Sequence, residues 1–86
     1  GIDDVTGGTF LIYPNPTDGI CRITPSKAIK GVIEITVQDI NGSTVFNKLY
    51  KGEKEYELDL SFALKGSYFI IMKYDQVVKI QKLIIN

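Results

Sequence analysis

Turn-forming residues recur along this chain and divide it into short runs, and no other feature constrains the fold as tightly. They stand at Pro14-Asn15-Pro16-Thr17-Asp18-Gly19, Pro25-Ser26, Lys30-Gly31, Asn41-Gly42, Lys51-Gly52, Lys65-Gly66 and Asp75-Gln76. Glycine supplies positive φ, proline presets φ and removes a donor, and Asn, Asp and Ser bond their own backbone, so each cluster interrupts regular structure. Between the clusters lie short runs rich in Ile, Val, Phe, Tyr and Thr, whose side chains suit a pleated surface. The runs predict strands close to residues 9–13, 19–24, 32–39, 43–50, 53–60, 67–75 and 76–85. Short strands at regular spacing with turns between them predict an all-β sandwich or barrel.

Alternation within the runs sets the faces. Ile33, Ile35 and Val37 share one side of the third run, while Glu34, Thr36 and Gln38 share the other, as in a half-buried antiparallel strand. Asp39-Ile40-Asn41-Gly42 follows, and Asn-Gly predicts a hairpin with a type I′ turn. In the fifth run Tyr56, Leu58 and Leu60 alternate with Glu55, Glu57 and Asp59. The sixth run, Tyr68, Ile70, Met72 and Tyr74, carries Phe69 and Ile71 on its second face, so it predicts a central or covered strand. In the last run Lys79 and Lys82 lie three apart and should face opposite sides, one of them toward solvent. The apolar end Leu83-Ile84-Ile85 breaks the alternation, and a bulge near Gln81 is one possible cause. As an edge strand, such an end would aggregate unless covered. A single helical turn at Ser61-Phe62-Ala63-Leu64-Lys65, with Ser61 as N-cap and Gly66 as stop, is the one helical candidate.

The chemistry available is narrow. The chain has 86 residues, enough for one domain, with ten basic and ten acidic residues and no histidine. Zero net charge gives a polyanion nothing to find, which argues against nucleic acid. Without histidine, Ser-His and Cys-His pairs are impossible. One cysteine cannot supply a zinc site or an intrachain disulfide. Cys21 reads either as a small apolar strand residue or as a reactive thiol lacking a base to activate it. Asp3, Asp4, Asp18, Asp39 and Asp59 show no spacing that singles out a catalytic pair. The Asp39-Ile40-Asn41-Gly42 stretch fits a hairpin turn, not a calcium loop, which needs glycine at position 6 and glutamate at 12. Gly7-Gly8 lacks the helix that a phosphate loop requires. No apolar stretch approaches the roughly 18 residues of a membrane span. Neither an enzyme nor a cofactor is expected. Residues 1–8 read as the linker end of a longer chain, with residues 9–86 forming the domain.

Five motifs carry family information: Tyr13-Pro14-Asn15-Pro16-Thr17-Asp18-Gly19, Val37-Gln38-Asp39-Ile40-Asn41-Gly42, Leu58-Asp59-Leu60-Ser61, Gly66-Ser67-Tyr68-Phe69-Ile70, and Lys79-Ile80-Gln81-Lys82-Leu83-Ile84-Ile85-Asn86. In this order and spacing the chain resembles the C-terminal sorting domain, type A, of the type IX (Por) secretion system of Bacteroidetes, from about residue 10 to the end. The resemblance implies an Ig-like β-sandwich of about seven strands, attached to an N-terminal cargo. It implies partners in the outer-membrane type IX translocon and its shuttle proteins, transit through the periplasm, and delivery to the cell surface or beyond. It also implies removal by a gingipain-like sortase, which in many species joins the cargo to an anionic lipopolysaccharide.

The motif residues have physical readings of their own. Pro14 and Pro16 preset φ and make a rigid corner, Asn15 satisfies local backbone groups, and Asp18-Gly19 closes the turn. Gly42 and Gly66 fit positions of positive φ or close approach, and Tyr68 is expected to bury its ring and hydrogen-bond its hydroxyl. These residues can build the recognised fold without touching a receptor. The docking surface for the secretion machinery is expected on the last strand, at Lys79, Lys82, Leu83, Ile84 and Ile85. The alternative is an Ig-like accessory module that binds carbohydrate or spaces a catalytic domain, for which the Tyr and Phe side chains would form a solvated strip.

Overall fold

The computed structural model describes residues 10–52 and 54–86. The predicted linker at 1–8, and the starts of the first and fifth runs at residues 9 and 53, lie outside the described residues. Seven strands follow one another: β1 (Phe10–Tyr13), β2 (Ile20–Pro25), β3 (Val32–Asp39), β4 (Thr44–Lys51), β5 (Tyr56–Asp59), β6 (Gly66–Tyr74) and β7 (Val77–Ile85). They form a three-stranded sheet, β1-β2-β5, and a four-stranded sheet, β4-β3-β6-β7, in which every strand pair is antiparallel. The chain crosses between sheets after β2, β4 and β5, which makes an Ig-like β-sandwich.

Alternation places the core as the sequence predicts. Ile33, Ile35 and Val37 of β3, Tyr56 and Leu58 of β5, and Ile70 and Met72 of β6 point between the sheets, as does Leu60 just beyond β5. Each such aliphatic side chain contributes about 1.5–3 kcal/mol by leaving water. Aromatic rings tie the layers together. Phe10 of β1 meets Tyr74 of β6 edge-on at 5.8 Å, and Tyr50 of β4 meets Tyr56 of β5 at 5.2 Å. The Tyr50 hydroxyl also donates to the Glu57 carbonyl at 3.0 Å. β6 lies between β3 and β7 as a central strand, with Phe69 and Ile71 on its outer face.

Three local expectations are corrected. The β3–β4 turn is not a two-residue type I′ turn, because Asp75 is the only described non-glycine residue with positive φ. The Gly42 N–H instead donates to the Asp39 carbonyl, and Gly42 follows Ile40 and Asn41 at φ +84°. The Asp39 carboxylate then accepts from the N–H groups of both Asn41 and Ser43. Pairing resumes at Gln38↔Thr44, with Val45 bulged out of the ladder. Second, residues 61–65 form no helix. The Asp59 carboxylate instead holds a turn, accepting from the Ser61 N–H at 3.0 Å and its hydroxyl at 2.6 Å. Third, β7 carries no bulge: its ladder with β6 runs unbroken from Tyr74↔Val77 to Gly66↔Ile85.

Candidate functional site

The corner after β1 crosses to the other sheet and seals part of its edge. Both the Tyr13–Pro14 and Asn15–Pro16 peptide bonds are cis. Pro16 has no N–H to offer, so the first main-chain donor after the Asn15–Pro16 pair is Thr17. Its N–H reaches the Ile84 carbonyl at 2.9 Å, and its carbonyl accepts from the Asn86 N–H at 2.8 Å, a parallel bridge onto β7. The Asn15 carboxamide extends the contact like a displaced peptide unit, one donor and one acceptor in a plane. Its Nδ2 donates to the Lys82 carbonyl at 3.0 Å, and its Oδ1 accepts from the Ile84 N–H at 3.1 Å.

The corner is locked from within. Thr17 is 1% exposed, and its hydroxyl donates to the Ile20 carbonyl at 2.7 Å while accepting from the Gly19 N–H at 3.1 Å. Gly19 sits at φ +143°, and a Cβ there would lie 2.8 Å from the Ser61 Cα. That approach lets the Gly19 carbonyl accept from the Leu60 N–H at 2.7 Å. Glycine is therefore required here on two grounds, backbone conformation and close passage of a second chain segment.

The residues expected to dock do not share one face. Leu83 and Ile85 point into the core, at 0% and 3% exposure, while Lys82 and Ile84 point outward from the four-stranded sheet. Lys79 stands on the inner side, half-buried, so Lys79 and Lys82 do face opposite sides. The outward face continues through Ile80 and Val78 to Phe69 and Ile71 of β6, leaving an exposed apolar stripe. Gly66, at φ +150°, pairs with Ile85. Tyr68 pairs with Leu83, is buried, and donates its hydroxyl to the Leu64 carbonyl at 2.5 Å. Gly42 is set apart at the tip of the β3–β4 hairpin. A shallow groove between that hairpin and the β5–β6 turn is lined by Asp39, Asn41, Leu64, Gly66 and Tyr68.

The remaining surface offers little reactive chemistry. Cys21 is fully buried, and desolvation pushes its thiol up to about 11. Among the described residues no group of three or more His, Cys, Asp or Glu side chains gathers to hold a metal. On the outer face of the three-stranded sheet Arg22 pairs with Glu55 and Glu57, and Glu55 also accepts from the Tyr13 hydroxyl. The exposed aromatics lie on different surfaces: Tyr13 on this sheet, Phe69 on the other, and Phe62 in the β5–β6 turn. They form no strip.

A family model described as the secretion system C-terminal sorting domain matches residues 11–86. The chain belongs to this family. No curated protein matches it. A sorting domain of the type IX (Por) system is a secretion signal and its family is not a catalytic one. Membership implies interaction with type IX secretion machinery and with a cargo, and secretion toward the cell surface or the extracellular space. No helix among the described residues is long and apolar enough to cross a membrane. Within the sorting domain, sequence reasoning gave Asn15 only local backbone partners, named Lys82 and Ile84 for docking without joining them to it, and assigned Thr17 no role of its own.

Proposed function

We propose that this sorting domain is read in its folded state by the type IX translocon and its shuttle proteins in the periplasm. They carry the cargo joined to its N-terminal side across the outer membrane, and a gingipain-like sortase then removes the domain at the surface. The last strand is the docking element. Lys82 and Ile84 present side chains directly, Lys79 flanks them, and Leu83 and Ile85 anchor the strand in the core. Pro14, Asn15, Pro16, Gly19, Gly42, Gly66 and Tyr68 build and hold the presented shape. The observation that carries this reading is that β7 is a sheet edge fastened at one end by the Asn15–Thr17 corner. Paired strands resist proteases while exposed linkers do not, so the sortase cuts near residues 1–8 or upstream.

The test is a reporter with an export signal, fused at its C-terminal side to residues 1–86 and expressed in a type IX-competent cell. The reporter should reach the surface, and deletion of Lys82 to Asn86 should hold it in the periplasm. Because that deletion also removes core residues, the double substitution Lys79→Glu/Lys82→Glu serves as the folded counterpart and should give the same retention. Mass spectrometry of released cargo showing a cut inside residues 20–86 would overturn the cleavage assignment.

A further inference from the structure

Among the described residues the edge of β7 is sealed along only part of its length. Ile84 turns both main-chain groups away from β6, its N–H to Asn15 and its carbonyl to Thr17. The β6–β7 ladder is unbroken, and main-chain direction alternates with period two in an antiparallel strand. Val78, Ile80 and Lys82 therefore aim their N–H and carbonyl groups at the same edge. The corner takes the Lys82 carbonyl and reaches no further along the strand. The N–H and carbonyl of Val78 and Ile80, and the N–H of Lys82, face outward with no partner among the described residues. An open row of this kind is a template for another strand.

The side chains around it define the guest. Val78 and Ile80 are 56% and 61% exposed on the outer face, opposite Lys73 and Ile71 of β6. Lys79 flanks the other face, and Lys82 stands where the open stretch ends. β7 carries no carboxylate. Asp75 lies in the hairpin loop, and Glu34, opposite Lys73, already accepts from Asn47. We infer that Val78 to Lys82 is a strand-addition site, at which an extended segment of a partner protein, its carboxylates alternating with apolar residues, joins the four-stranded sheet as a fifth strand. The inference rests on the docking role of β7 proposed above and gives that role its mode and chemistry. Main-chain bonds supply affinity and alternate side chains supply selectivity, while the corner at Asn15 stops the guest at Lys82 and fixes its register. A second copy is a poorer guest, since pairing β7 with β7 gathers Lys79 and Lys82 of both copies at one seam.

Ile80→Pro removes one outward N–H and leaves the β6 ladder intact, because proline is tolerated where an edge N–H faces solvent. In the reporter fusion it should lower the surface fraction about tenfold, the worth of one or two main-chain hydrogen bonds. Ile80→Thr keeps the N–H and should secrete normally. In solution, the 86-residue chain is titrated with a synthetic peptide of alternating glutamate and valine, with amide exchange read residue by residue. Exchange should slow at Val78, Ile80 and Lys82. An ester in place of the Lys79–Ile80 peptide bond, which removes the same N–H without a proline ring, should weaken the peptide about tenfold. Lysine for glutamate in the peptide should abolish binding. If Lys79→Glu/Lys82→Glu blocks secretion while folded Ile80→Pro secretes normally and the ester binds unchanged, docking at β7 stands and strand addition is overturned. If the double variant also secretes normally, the docking role itself fails. Self-association of the chain through β7 without peptide would overturn the acidic partner.

Discussion

The side-chain oxygen of Asn15 accepts the main-chain N–H of Ile84 at 3.1 Å, across 69 positions of chain. The same carboxamide donates to Lys82, so one side chain closes two positions of a sheet edge. Asn15→Ala should cost about 1–2 kcal/mol, since two modest hydrogen bonds are lost but water can reach the exposed groups. Asn15→Asp keeps an acceptor for Ile84 and sets a carboxylate against the Lys82 carbonyl, so it should not recover the full loss. Denaturant unfolding measures both, and amide exchange at Ile84 should accelerate in each.

Gly19→Ala should be more damaging than any change to the corner's surface. The added methyl would meet the Ser61 backbone at 2.8 Å and force an L-residue to φ +143°. Strain of this kind costs about 1–3 kcal/mol before the steric clash is counted. A thermal melt should show the midpoint fall well below that of Asn15→Ala.

Tyr68→Phe isolates a single hydroxyl. The ring stays in place opposite Leu83 while the bond to the Leu64 carbonyl disappears. A loss of about 1 kcal/mol is expected in urea unfolding, the net worth of one such hydrogen bond. A much larger loss would mean that the β5–β6 turn had come away as well.

How far the sequence reaches depends on the range of the interaction. Ile33, Ile35 and Val37 announce their buried face because alternation is local, and the same is true of Tyr56 and Leu58. The hairpin at Asp39 was legible as a turn but not as a type, since the Asp39 carboxylate captures two N–H groups and favours a longer loop. Leu83-Ile84-Ile85 reads as an interrupted alternation, yet the strand is regular. Ile84 is an exposed apolar residue on the outer face, which no periodicity can distinguish from a slipped register. The corner's partners were not legible at all. Nothing near Thr17 or Asn15 signals that both will pair with a strand more than 60 positions later.

Burial of Cys21 makes a test that needs no substitution. Its thiol, pushed up to about 11 by desolvation, should resist alkylation at pH 8 in the folded chain and react at once in denaturant. The sign of the linked stability follows. Below 9.0, the ordinary value, the thiol is protonated in both states and the contribution is fully present. Between 9.0 and about 11 the unfolded chain ionises first, so stability falls across that window. Cys21→Ala should flatten this alkaline limb.

Asp59 acts at the other end of the scale. Bonds from the Ser61 hydroxyl and N–H hold its carboxyl below the ordinary 3.8, so it supports the fold above that value and loses its effect as pH falls through its lower folded value. Asp59→Asn should remove this part of the acid dependence of the melting temperature, and the effect should be small because the group is exposed.

The bonds between the Asn15–Thr17 corner and β7 also act as a check on completeness. They can form only after residues from both ends of the sandwich have been made and brought together, so they close late for a chain emerging from the ribosome. A chain truncated before Lys82 has every earlier turn but nothing for Asn15 to hold, and its last strand would be left unfastened. A machine that recognises the fastened edge would thereby reject unfinished cargo without inspecting the cargo itself.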